Sequence, residues 1–148
     1  MMKNQIYEFR VHRYRSRAAE TVAETYLREP SQVAELLRTL TKNLAVEKFF
    51  AIYLNAKNRV IGYEVVASGT LTEVSVHPRE VFRGAILASA AALIVGHNHP
   101  SGDATPSTED LEITHRLKKV GVLLGIPVLD HIIVGDHGYS SGGEDRDS

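Results

Sequence analysis

Cysteine is absent from all 148 residues. That excludes disulfides, thiolate metal sites and cysteine nucleophiles, and it suits a cytoplasmic protein. Long apolar runs are missing too. A membrane span needs roughly 20 apolar residues, and the longest run here, AILASAAALIVG, is shorter and rich in alanine. No membrane association is expected, and the polar start MMKNQIYEFR does not read as a secretory signal. An excess of positive charge is also lacking. The formal net charge is −1, so no global basic field argues for nucleic acid. No internal repeat is visible. What remains is 43% apolar and 24% charged residues in a chain of single-domain length, the composition of a globular protein.

Near the N-terminus, Tyr7, Phe9 and Val11 alternate with Glu8, Arg10 and His12, which predicts a short strand. Lys3, Arg10, Arg13, Arg15 and Arg17 make this arm basic, so it reads as a solvated strand edge or as a contact for DNA. After Pro30, Val33, Leu36, Leu37, Leu40 and Leu44 recur at helical spacing. VEKFFAIYLN and VIGYEVVASGTL read as two strands joined by the turn AKNR, and SGT, Ser68 to Thr70, ends the second. HPREVFRGAILASAAA predicts a helix with Pro78 in its first turn and His77 as its cap. LIVGHNH predicts a central strand. TPSTEDLEITHRLKKVG predicts a helix with Thr105 as N-cap, Pro106 at its first position and Gly121 as its stop. PVLDHIIVG is a further strand, and SSGGEDRDS a polar, disordered tail. This order implies a mixed α+β domain, an α/β arrangement in which helices pack on a mixed sheet.

The stretch HNHPSGDATPSTEDL carries the chemistry. If Leu93 to His99 is a strand, His97 and His99 point to one face and Asn98 to the other. Two imidazoles on one face are half of a zinc site. Pro100 and Gly102 permit a reversal. In the helix that follows, Ser107 and Asp110 lie three residues apart on one face, in line with Ile113, Leu117 and Val120. Asp110 at the edge of an apolar stripe needs a compensating charge, and a cation on His97 and His99 would supply it. Three protein ligands leave one tetrahedral position for water, as in catalytic zinc, whose bound water ionises near a pKa of about 7. Other divalent ions accept the same ligand types. The residues alone leave two readings open: a metal centre, or a polar turn with surface histidines.

His-x-His, seven residues, Ser, two residues, Asp is also the pattern of the JAMM motif of MPN (JAB) domains, filled here by His97, His99, Ser107 and Asp110. LNAKNRVIGYEVVASGTL, VHPREV, AALIVGHNHPSGDATPSTEDLEIT and GIPVLDHIIVG together resemble the RadC family, from about Ser31 to Tyr139. The resemblance is to its short, single-domain members. It implies an MPN/JAB (cytidine deaminase-like) fold over residues 26–140, with an N-terminal extension over 1–25 and a tail over 141–148. It further implies a zinc metalloprotease that hydrolyses an amide or isopeptide bond in a protein or peptide. Zn²⁺ would rest on His97, His99 and Asp110, a glutamate would act as general base, and Ser107 would donate to the oxyanion. Glu47 takes the base role by its order in the chain, with Glu64 as the alternative or as a group behind the ligands. His131 and Asp130, in VLDHIIV, are candidates to orient a ligand from behind; a hydrogen-bonded core histidine is the other reading of His131. His115 should face solvent. The RadC name also carries a DNA-repair label, and a non-catalytic MPN scaffold is a third reading. The filled motif argues against the scaffold and the near-neutral charge against the DNA role. The letters HNH do not make a homing-type nuclease, whose residues are spread over tens of positions.

Overall fold

The computed structural model of the chain describes residues 4–17, 29–72 and 75–142. Helix α1 spans Pro30–Thr41 and buries Val33, Leu36 and Leu37 of the predicted stripe together with Ala34, while Leu40 is half-buried and Leu44 lies past the helix's end. Strand β1, Lys48–Leu54, pairs antiparallel with β2, Val60–Ser68, as the predicted hairpin. Helix α2 covers Pro78–Leu87, and its cap is His77, whose side chain accepts the Arg79 N–H. The helix stops short of the alanine run that was expected to prolong it, because Ser89 turns the backbone to φ 53°. Strand β3 is Ala92–Asn98, buried at every position. Helix α3, Thr108–Leu124, crosses over to β4, Val128–Val134, and a short β5, Tyr139–Ser141, closes the sheet.

The strands lie in the order β2-β1-β3-β4-β5. Only β3 and β4 run parallel, joined through α3 as such a pair requires. The mixed sheet flanked by helices is therefore as expected, with β5 an addition that the sequence did not suggest. Alternation splits the core in two. Phe49, Ala51, Tyr53, Leu93 and Val95 face α2 and α3, where they meet Val81, Phe82, Ile113 and Leu117. Phe50, Ile52, Leu54, Ile94, Ile132 and Val134 face α1. Gly96 makes the second contact close: a Cβ there would lie 2.4 Å from Leu37 Cδ1. The β3–β4 register slips once, between Leu93 and Ile94. That slip lets Val128 and His131, three residues apart, face the α3 side together.

Two expectations need correction. Residues 4–16 form no strand. Ile6 and Phe9 are each 93% exposed, and the arm meets the domain where Ser16 Oγ lies 3.0 Å from the Tyr63 hydroxyl. Alternation alone does not make a strand; a neighbouring ladder does, and the described sheet holds none for this segment. Gly121 does not stop α3. The helix runs to Leu124 and ends at Gly125, with φ 70° in the left-handed region that favours glycine. Gly121 serves packing instead, since a Cβ there would come within 2.6 Å of the Ile126 carbonyl oxygen. The expected tail lies outside the described residues from 143 onward, as do 18–25 of the expected extension. Among the described residues, no helix is long and apolar enough to cross a membrane.

Candidate metal centre

Strand β3 carries Leu93, Val95 and His97 on the α3 side, and His97 is fully buried at its end. One step past the strand, His99 N–H donates to the Val134 carbonyl at 2.9 Å, so β4 fixes the backbone there. The two rings then meet, with His97 Nε2 3.0 Å from His99 Nε2. Asp110, in the first turn of α3, faces both. Its Oδ1 is 3.3 Å from His97 Nε2 and its Oδ2 is 3.1 Å from His99 Nε2.

The start of α3 explains how Asp110 is held. Ser107 is the N-cap, not Thr105 as the sequence suggested. Ser107 Oγ accepts the Asp110 N–H at 3.0 Å, and Asp110 Oδ2 accepts the Ser107 N–H at 2.8 Å. This reciprocal cap satisfies two backbone donors and locks the carboxylate's direction. Thr105 is occupied elsewhere: its N–H and hydroxyl both donate to Asp103 Oδ1, at 2.9 and 2.7 Å. Asp110 is 4% exposed. Burial by itself pushes its carboxyl up, but the contact with His97 and the hydrogen bond from the Ser107 N–H together hold it well below the ordinary carboxylate range.

Behind the rings lies a second layer. His99 Nδ1 donates to the Asp103 carbonyl at 2.7 Å. His97 Nδ1 lies 2.8 Å from His131 Nε2. His131 is 2% exposed and packs edge-on to Phe49, with ring centroids 5.4 Å apart. Burial, and then the neighbouring His97, pushes its imidazole down to about 3, so the ring is neutral at physiological pH. Thr114 stands at its far nitrogen, Nδ1. His131 thus lies behind His97 and is at the same time a buried, hydrogen-bonded core histidine, so its position fits both sequence readings. Asp130 does not join it. Its carboxylate accepts the His131 backbone N–H at 2.7 Å and the Ser141 hydroxyl, which ties β4 to β5 and leaves the rings untouched.

Glu47 immediately precedes β1, and its Oε1 lies 3.8 Å from His99 Nε2. Glu47, His97 and His99 each bring a ligand atom within 4.8 Å of the others. Asp110 approaches the rings more closely than Glu47 does, which gives Asp110 the stronger claim as third ligand. Glu64 is elsewhere: it pairs with Arg83 at 3.5 Å, and no described contact joins it to the histidines. Two contributors escaped the sequence reading. Thr114 sits one turn beyond Asp110 on the same face, so helical spacing could have found it. Asn98, whose amide holds the backbone beside Glu47, could not have been found, because its contact is 50 residues away.

The donor set fits zinc. Zinc–ligand distances of about 2.0–2.2 Å place the ligands of a tetrahedral ion roughly 3.3 Å apart; here the two ring nitrogens are 3.0 Å apart, and each has one Asp110 oxygen beside it, Oδ1 3.3 Å from His97 and Oδ2 3.1 Å from His99. Two imidazole nitrogens and a carboxylate are ligands zinc accepts.

Comparison with known proteins agrees with this architecture. Residues 27–146 match the family described as RadC-like JAB domain. The UPF0758 protein of Staphylococcus haemolyticus is 55% identical over 112 residues, which is 76% of this chain and 49% of that protein. The UPF0758 protein of Symbiobacterium thermophilum is 56% identical over 112 residues, 76% of this chain and 48% of that protein. That of Moorella thermoacetica is 49% identical over 124 residues, 84% and 54%. The chain spans about half the length of the curated relatives it matches. With a sheet and helices of the expected kind and a family match over most of its length, the chain belongs to the RadC-like JAB domain family.

Proposed function

We propose that this domain is a zinc-dependent hydrolase that cleaves an amide or isopeptide bond in a protein or peptide substrate. One observation carries the reading: His97 Nε2, His99 Nε2 and the Asp110 carboxylate converge to within 3.0–3.3 Å of one another, with a second carboxylate, Glu47, 3.8 Å from the cluster. His97, His99 and Asp110 would hold the ion. When bound, zinc supplies Lewis acidity and makes water a usable nucleophile at neutral pH. Glu47, with its side chain 31% exposed and so open to substrate, takes a proton from the attacking water and returns it to the leaving nitrogen. The Ser107 hydroxyl accepts from the Asp110 N–H, which leaves its own proton to donate to the oxygen that gains charge. Asp110 stays ionised throughout, since its partners favour the carboxylate.

Metal analysis tests the reading directly. Wild-type protein stripped with chelator and then titrated with zinc should bind one equivalent, and Asp110→Asn should bind far more weakly. Wild type that takes up no zinc would overturn the proposal. Within a panel of amide and isopeptide substrates, hydrolysis should vanish in Glu47→Gln and persist in Glu64→Gln. The reverse pattern would move the base role to Glu64.

A further inference from the structure

The hydrogen bonds behind the cluster have a direction, and it can be worked out donor by donor. Thr114 Oγ lies 2.8 Å from the Asp110 carbonyl oxygen, which can only accept, so the threonine's one proton goes there. The same Oγ also contacts His131 Nδ1. Having spent its proton, it must accept from an Nδ1–H. His131 is 2% exposed, and its ring nitrogens meet only His97 and Thr114 among the described hydrogen bonds, with no carboxylate at either. A second ring proton would bury an unpaired charge, which is costly. His131 therefore carries its proton on Nδ1 and a lone pair on Nε2. That lone pair faces His97 Nδ1 at 2.8 Å, so His97 must carry its proton on Nδ1 and turn its Nε2 toward His99 and Asp110.

We infer that Thr114 and His131 are positioning residues that fix the tautomer and orientation of His97, so that its Nε2 lone pair is aimed into the cradle before any ion arrives. His99 is set independently by the Asp103 carbonyl, an acceptor that demands an Nδ1–H at 2.7 Å. Both cradle rings thus present the same nitrogen. Thr114 also binds the carbonyl of Asp110 itself, so one hydroxyl ties the carboxylate ligand's helix turn to the ring behind His97. A side chain that did no more than fill space could be replaced by valine, which has the same shape. Groups behind metal ligands change metal affinity by about 10- to 100-fold when lost.

The inference rests on the zinc reading for its purpose and not for its test. In chelator-stripped, ¹⁵N-labelled protein at pH 8, imidazole nitrogen shifts should report an Nδ1–H for His97, His99 and His131. Thr114→Val should lose this single pattern at His131 and His97, and Thr114→Ser should restore it. Zinc affinity, measured by competition with a chromophoric chelator, should fall 10- to 100-fold in Thr114→Val and recover in Thr114→Ser. A second pair covers a Thr114→Val that fails to fold. In His131→Gln an amide oxygen can accept the His97 proton and should keep its tautomer, whereas His131→Leu should not. His97 carrying its proton on Nε2 in stripped wild type would overturn the inference, as would a Thr114→Val variant with wild-type shifts and affinity. Wild type with the expected shifts but no zinc uptake would leave the tautomer assignment standing and sink the hydrolase reading.

Discussion

Asn98 grips the backbone on both sides of Glu47: its Oδ1 accepts the Lys48 N–H at 2.8 Å and its Nδ2 donates to the Val46 carbonyl at 3.0 Å. The middle letter of the His-Asn-His run therefore holds the carboxylate that the two histidines face. Asn98→Ala removes both partners at once. It should destabilise the domain by about 1–3 kcal/mol and leave zinc stoichiometry unchanged, because Asn98 supplies none of the converging ligand atoms. Urea denaturation set beside a zinc titration checks this. Lost stoichiometry at preserved stability would refute the assignment.

Gly135 is fixed by close approach. A Cβ there would lie 2.1 Å from the Gly102 carbonyl oxygen, in the loop that carries Asp103 to its bond with His99. Gly135→Ala should therefore push that loop outward. The expected cost is about 1–3 kcal/mol in stability, accompanied by weaker zinc binding. An alanine variant with wild-type stability in urea would show that the loop yields freely.

Tyr53 offers a pH test away from the cluster. Among the described residues its buried hydroxyl has no hydrogen-bond partner, and burial, then Glu64, pushes its pKa well above the ordinary tyrosine value. The unfolded chain thus releases this proton first as pH rises. The contribution to stability is complete below pH 10, the ordinary tyrosine value, and should be lost progressively as pH climbs above it. Tyr53→Phe removes that dependence, and near pH 7 it should leave stability equal or raise it by up to about 1 kcal/mol, since it deletes an unsatisfied buried group. Denaturation curves of both proteins at pH 7 and above 10 would decide; parallel losses would exclude Tyr53 as the source.

Zinc should also stabilise the fold by mass action. At a free concentration 100 times its Kd, the gain is about 2.7 kcal/mol. Thermal unfolding should shift upward with zinc in wild type and not in His99→Ala. Equal shifts in both would mean that the ion binds elsewhere.

Local patterns carried much of this architecture. The leucine spacing of α1, the β1–β2 hairpin, the apolar run ending in His97 and the stripe through Asp110, Ile113 and Leu117 were each readable from neighbours along the chain. What failed depended on contacts the local pattern does not contain. Thr105 and Ser107 are both good caps, and the choice fell to Ser107 because Asp103 captures Thr105 while Asp110 answers Ser107. Gly121 resembles a helix stop until Ile126 is seen packed against it. Tyr7, Phe9 and Val11 alternate as a strand would, but no described strand lies beside them. Asp130 and His131 looked equivalent in the sequence. The register slip in β4 decides between them by turning His131 toward α3.

The parallel pairing of β3 and β4 also bears on time. His97 and His131 meet across 34 residues of chain, and α3 must be laid down between them first. Contacts between such distant residues are slow to close, so His97 gains the ring behind it only late on the folding route. An ion that needs His97 oriented by that ring finds no finished site earlier. It should leave the refolding rate unchanged and slow unfolding, so that the lifetime of the native state, rather than the speed of reaching it, is what the metal would govern.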